Sequence, residues 1–469
     1  MKNCPYCNEI IGDNWTFCHY CDKPLIVNID RSLDRSIGEK IVMQNQYYQE
    51  EDRAFDDEIE QSIKEIDASI EKEQISGGSI GELLLKKASV YYKKRDFSES
   101  LKILRLALNN FTEEDDFLNI AICHNEMGLI HEDNGFYNDA IYHFEISIEN
   151  LKRINETKKL ILVYNNTANI FYLLKDLEHA YEYYNKALEL AKQENLMLEV
   201  KTSSNLVDIL FALKNYEKIA RILNRNIEYF RQNKDYHGII ISMIKMGKLS
   251  YHLGNYESSE KTLTNSLNLI DKLKIQNDLS SFVKAKLNWE GFLYLGKLHL
   301  SQNQFNEAEN YLLSSLEAIR TIESGEDINE ALVLKNLAKL YVLNGTYQTA
   351  IDYYNLSSEI YYKFGEDDRV AQIKYKKAQI YLNHLRDDTE AIKNFEEALD
   401  IFEDLRYMKE SAEILHKLGD IYINKGIVEL AVSNWTNAKN YYQELQDNYN
   451  ADLLDAKINS TLESDSNGV

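Results

Sequence analysis

Proline is nearly missing from this chain, at 2 among 469 residues, and glycine is sparse at 18. An all-β or α/β chain of this length would need many more turn-formers, so both sheet-rich classes are excluded and an all-α chain is expected. Long apolar runs are missing as well. The longest, Gly238 to Ile244, falls far short of the roughly 18 residues a membrane span needs, so no membrane insertion is expected. Positive charge is also short, with 53 Lys and Arg against 76 Asp and Glu for a net charge of −23. A field of that sign repels phosphate backbones, which makes nucleic acid a poor partner. The opening MKNCPYCNEI puts a proline and cysteines where a signal peptide carries its apolar stretch. The expected setting is therefore soluble and cytoplasmic.

Cysteine is scarce but clustered. Four of the five stand as Cys4-x2-Cys7 and Cys18-x2-Cys21. Two residues between cysteines let a tight turn aim both thiolates at one point, and two such knuckles complete a tetrahedral site for Zn²⁺. Asn8 and Asp22 follow the knuckles, the non-glycine types that best tolerate a left-handed backbone there. Disulfides fit poorly in a chain without a secretion signal, and iron–sulfur clusters usually show other spacings. His19 is a substitute ligand of lower rank. Residues 1–25 resemble the short zinc ribbons found at protein termini, which implies a structural Zn²⁺ held by Cys4, Cys7, Cys18 and Cys21. Four thiolates leave no open position for a catalytic water. Cys123, in the apolar stretch AICHNEMG, reads as a buried inert thiol.

Residues 26–78 read as an acidic connector. Ile59, Ile63, Ile66 and Ile70 form one helical stripe, which suits either a helix packed on the first repeat or a mobile spacer, and Ser76-Gly77-Gly78 ends it. From residue 79 to 445 one unit of about 40 residues recurs. A small residue appears at Ala88, Gly128, Ala168, Gly247, Gly296, Ala338, Ala378 and Gly419, with Asp208 in the fourth place. A second appears at Ser100, Ala140, Ala180, Ala220, Ser259, Ala308, Ala350, Ala391 and Ala431. Four residues later stands a large one, Leu104, Phe144, Tyr184, Leu263, Leu312, Tyr354, Phe395 or Trp435, with Asn224 as the exception. Antiparallel helices approach closely only where side chains are small, and a large neighbour fills the space beside the contact. Between the helices, bends such as DNGFYNDA and LNGTYQTA place glycine or asparagine where one helix stops. The longest interval, between Gly247 and Gly296, suggests a break into two sub-arrays.

This pattern, clearest in GDIYINKGIVELA (Gly419 to Ala431) and AKLYVLNGTYQTA (Ala338 to Ala350), resembles the tetratricopeptide repeat family. The resemblance implies a right-handed α-solenoid of about nine helix pairs, with residues 446–469 forming a capping helix and a frayed tail. It also implies that groove residues lie three before, two before and one after the first small residue. Those positions hold Asn125, Asn165 and Asn205, joined by Asn166 and Asn169. Amides both donate and accept, so such a ladder suits the backbone of an extended peptide. Later repeats turn cationic there, with Lys245, Lys248, Lys297, Lys335, Lys339 and Lys376 around Asn336. A cationic lining favours an acidic segment of a protein partner. Glycine loops for phosphate, HExxH and G-x-S-x-G elbows are all missing. The expected function is a non-enzymatic scaffold or adaptor. Its alternative is a peptide-responsive regulator whose solenoid changes shape on binding.

Overall fold

A computed structural model describes residues 2–3, 10–11, 46–275, 281–322 and 327–466. Cys4, Cys7, Cys18 and Cys21 lie outside them. Near the N-terminus β1 (Lys2–Asn3) pairs antiparallel with β2 (Ile10–Ile11), Lys2 opposite Ile11. The remaining described elements are helical. The chain divides into two compact units, residues 1–253 and 254–469.

In the first unit, α1 (Gln46–Ser76) precedes α2 (Gly81–Lys93) and α3 (Phe97–Glu113). Then come α4 (Phe117–Asp133), α5 (Tyr137–Arg153), α6 (Thr157–Leu173) and α7 (Leu177–Glu194). α8 (Leu196–Ala212), α9 (Tyr216–Gln232) and α10 (Tyr236–His252) complete it. The second unit opens with α11 (Tyr256–Ile275), α12 (Ser281–Ser301), α13 (Phe305–Ile322) and α14 (Ile328–Leu343). It continues with α15 (Tyr347–Lys363), α16 (Asp367–Ile380) and α17 (Asp388–Asp404). α18 (Met408–Asn424), α19 (Val428–Glu444) and α20 (Asn448–Ser466) close the sequence. Even-numbered helices carry the first small residue of each repeat and odd-numbered ones the second.

α1 packs on the first repeat and is not a free spacer. Ile59 is buried, Ile70 joins the core around Leu84, Leu104 and Phe111, and Asp67 pairs with Lys87 of α2 at 2.5 Å.

The small and large positions meet inside the second, sixth and ninth pairs. A Cβ added to Gly128 would stand 2.5 Å from Phe144, at Gly296 2.7 Å from Leu312, and at Gly419 2.3 Å from Trp435. All eight expected large residues are buried. The sequence did not reveal a second staple, seven residues after the small position on the odd helices. There the buried hydroxyls of Ser147, Ser315 and Ser357 donate to the carbonyls of Ala121, Trp289 and Ala331, at 2.7, 2.8 and 2.7 Å. Each bond satisfies a serine hydroxyl that is fully buried at the crossing.

The fourth repeat corrects the sequence register. α7 and α8 are joined by Asn195 alone, in an extended conformation, where the other helix links within the first unit's array use three residues. The missing length moves the repeat by one position. Val207 and Ile219, both 0% exposed, hold the close-contact places assigned to Asp208 and Ala220, and Leu223 replaces Asn224 as the filler. No departure from the small–large scheme needs a polar residue in the core.

Most three-residue links have one design. The middle residue is left-handed, so the next amide reaches back five residues: Phe136 N–H donates to His131 O at 2.9 Å, Asp176 N–H to Phe171 O at 2.9 Å. An Asp or Asn then often caps the following helix, as Asp96, Asp116, Asp176 and Asp235 do. Among the described residues, ten that are not glycine carry the left-handed backbone, Arg95, Lys175, Lys214 and Arg406 included. The expectation of glycine or asparagine at each stop is thus corrected, and the low glycine content is explained.

The eighth repeat has one residue too many, 13 from Ala378 to Ala391 where its neighbours have 12. The surplus is taken up by a π-helical turn, Tyr381–Leu385, that extends α16 and ends at left-handed Arg386.

Candidate functional site

The expected site residues lie on the even-numbered helices. In the first unit, neighbouring even helices are linked side chain to side chain across about one repeat. Tyr92 of α2 donates to Asp133 of α4. Asn166 of α6 donates to Asn125 of α4 at 3.0 Å, while Asn125 donates to Glu126 at 3.1 Å. Lys245 of α10 meets Asp208 of α8 at 2.8 Å. Polar side-chain links of this kind thus join α2 to α4, α4 to α6 and α8 to α10.

These links do not use all the expected asparagines. Asn165 is 8% exposed; its amide donates to Ile161 O at 2.9 Å and Thr202 Oγ1 at 3.3 Å, and its Oδ1 is sealed without a partner among the described residues. It belongs to the packing between α6 and α8. Asn169 accepts from the Tyr184 hydroxyl. Asn205 is half-buried, one position off the place its spacing suggested, because the fourth repeat is shifted. The true counterparts of Asn125 and Asn165 end at Ser204, while Asn166 and Asn205 correspond. Asn125, Asn166, Asn169 and Asn205 stay half-open to solvent, Asn169 with its carbonyl engaged by Tyr184.

The lysines separate in the same way. Lys245 is neutralised by Asp208 and only 14% of its side chain is exposed. Lys248 lies over the Phe211 ring at 4.6 Å and Lys297 over Tyr294 at 4.3 Å. In the second unit Asn336 is buried and donates to Leu332 O at 2.7 Å. Lys335 sits over the buried ring of Tyr361, 5.8 Å away, which Arg369 covers at 5.1 Å. Burial, and then the Arg369 charge, push the Lys335 ammonium below its usual range, with Asp368 opposing. Lys339 and Lys376 are exposed, Lys376 reaching Gln379 at 3.3 Å. Of the expected lysines in the second unit, Lys339 and Lys376 are thus the open ones, with Lys335 half-buried.

No group of three or more histidine, cysteine or acidic side chains among the described residues is arranged to hold a metal ion. No described helix is long and apolar enough to cross a membrane. Cys123 is buried, and desolvation pushes its thiol up to about 12.

Ring stacking within the helix pairs is a feature the sequence did not reveal. Rings twelve residues apart stack across the two helices of a pair: His131 on His143, Phe171 on Tyr183, His299 on Tyr311 and Tyr341 on Tyr353, with centroids 5.3 to 5.4 Å apart. A third ring joins three of these stacks, as His124, Tyr164 and Phe292. The signal, an aromatic or histidine at i and i+12, is visible once the helix register is known.

Comparison with known proteins agrees with this architecture. Residues 119–193 and 290–363 match a family model described as tetratricopeptide repeat, and residues 371–405 match a second model of that description. Those segments carry tetratricopeptide repeats. The unmatched stretch between the first two segments contains the shifted fourth repeat. A kinesin light chain-related protein of Arabidopsis thaliana is 26% identical over 153 residues, or 32% of this chain. The match spans 25% of that protein's length. The fold is similar to a signal transduction ATPase with a tetratricopeptide repeat sensor from Pyrococcus horikoshii. The TM-score is 0.52 and the identity 16%, over 80% of this chain and 55% of that one. It is also similar to the apo quorum sensor NprR of B. thuringiensis, with TM-score 0.51 and 14% identity, over 74% and 99% of the two chains.

Proposed function

We propose that the protein is a non-enzymatic scaffold that holds an extended peptide segment of a protein partner along the face of its even-numbered helices. Tetratricopeptide repeats are protein-interaction modules, and the half-open amides Asn125, Asn166 and Asn205 carry the reading. They stand about one repeat apart, and beyond the Asn166–Asn125 and Asn125–Glu126 bonds their amides keep further donor and acceptor capacity, which suits main-chain recognition. In the second unit, taken by itself, Lys335, Lys339 and Lys376 favour an acidic segment. Changing Asn125, Asn166 and Asn205 together to alanine should release partners captured from a cell extract. Undiminished capture would remove these amides from the recognition surface.

The N-terminal residues add a structural Zn²⁺ held by Cys4, Cys7, Cys18 and Cys21. The β1–β2 register supports this by framing residues 4–9, the segment that carries the first cysteine pair. Elemental analysis of the purified protein should return one zinc per chain, falling when Cys4 and Cys7 become serine.

A second reading, a peptide-responsive regulator, is favoured by the fold shared with the quorum sensor NprR over most of both chains. It predicts a change in solution scattering on adding the captured peptide; a scaffold keeps its profile.

A further inference from the structure

The ring stacks compare the repeats of one chain with each other. At the same three places the third repeat holds Tyr164, Phe171 and Tyr183, and the sixth holds Phe292, His299 and Tyr311. Packing therefore asks only for flat rings. The second repeat fills all three places with imidazoles, His124, His131 and His143. His124 and His143 bring their Nδ1 atoms to 2.9 Å, so one nitrogen donates and the other accepts. His131 stacks on His143, 5.3 Å away with 7° between the ring planes, and Phe136 packs against it in a T-shaped contact. Its own Nδ1 is buried and has no hydrogen-bond partner among the described residues.

The His124–His143 contact does not welcome a proton. A proton on the accepting Nδ1 would turn the His124–His143 contact into two donors facing each other. The surroundings offer little compensation. From α5, Asp139 favours a charged His143; from α3, Arg105 opposes it; α4 adds the two other imidazoles. Tyr142 presents a ring edge to His143, and α6 meets α5 through Leu160, Ile161 and Tyr164.

We propose that the His124–His143 pair, set within this ring stack, is a proton-operated clasp between α4 and α5, closed while the pair is neutral and forced open when acid charges it. Burial, and next the neighbouring imidazoles, hold His143 down at about 4, and burial also lowers His124. The unfolded chain takes up these protons near the ordinary histidine value, so stability is complete above that value and drains away as pH falls from there towards 4. The clasp is independent of what the even-numbered helices bind. Its opening would disturb Asn125, the direct neighbour of His124.

The test compares full-length wild type with His131→Phe/His143→Tyr, which copies the third repeat. Between pH 7.5 and 5.0, where carboxylates barely titrate, the wild-type unfolding equilibrium should shift about tenfold further than that of the variant. Hydrogen exchange, corrected for intrinsic rate, should quicken in residues 117–153 of the wild type alone. An equal pH response in both proteins overturns the clasp. Should the variant not fold, the imidazole signals of the wild type decide: His143 must stay neutral through pH 5.5, and titration near 6.5 in the folded protein overturns it equally.

Discussion

Asp208 and Lys245, on consecutive even-numbered helices, form an ion pair at 2.8 Å with the lysine largely withdrawn from water. Lys245 Nζ also lies 3.5 Å from Ser204 O. Removing the acid strands a desolvated cation, which costs more than the pair is worth. Asp208→Ala should lower stability by about 1.5–3 kcal/mol. Asp208→Ala combined with Lys245→Met should recover most of the loss, since nothing charged is then left behind. Urea denaturation of the two single variants and the double variant closes the cycle; additive losses would show that the two residues do not act together.

Gly419 is irreplaceable while Trp435 stands beside it. An alanine Cβ would sit 2.3 Å from the indole Cδ1, and the ring is held by its Nε1–H bond to Asp420 at 3.0 Å. Gly419→Ala should cost about 1–3 kcal/mol through overpacking. Pairing it with Trp435→Phe, the large residue of the second and eighth repeats, should reduce the penalty in a thermal melt.

Lys214 is exposed and left-handed, with φ of 56°. A side chain in that region is strained by roughly 1–2 kcal/mol, of which glycine's greater unfolded freedom takes back a part. Lys214→Gly should therefore stabilise by about 0.5–1 kcal/mol, readable as a higher urea midpoint with unchanged slope.

Cys123 should react with a thiol reagent only as fast as its helix pair opens. Its thiol is buried and held protonated well beyond neutral pH. Labelling at pH 8 should lag far behind a model thiol and catch up in denaturant; immediate labelling of the folded protein would contradict its burial.

The period of the array was legible in the sequence because close helix contact is intolerant of size. Gly128, Ala168, Ala338 and Gly419 could be little else, and their distant fillers repeat with them. The fourth repeat was misaligned for the same reason: Ala220 is small, yet Ile219 makes the contact, because a single-residue link at Asn195 shortens the chain out of sight of any local pattern. That one position moved Asn205, whereas Asn165, in an unshifted repeat, is buried by its packing between α6 and α8. The imidazole stack stayed hidden because its members lie on two helices and exchange freely with tyrosine and phenylalanine, and the chain has 33 tyrosines.

The widened turn at Tyr381–Leu385 shows how such a chain tolerates copying errors. A one-residue insertion in a helix would ordinarily rotate everything beyond it by about 100° and bury the wrong side chains. Here the surplus is quarantined at the rim: Ala391, Phe395 and Ala398 are all fully buried immediately afterwards. Length changes are thus absorbed one unit at a time, and each unit can diverge without unseating its successors.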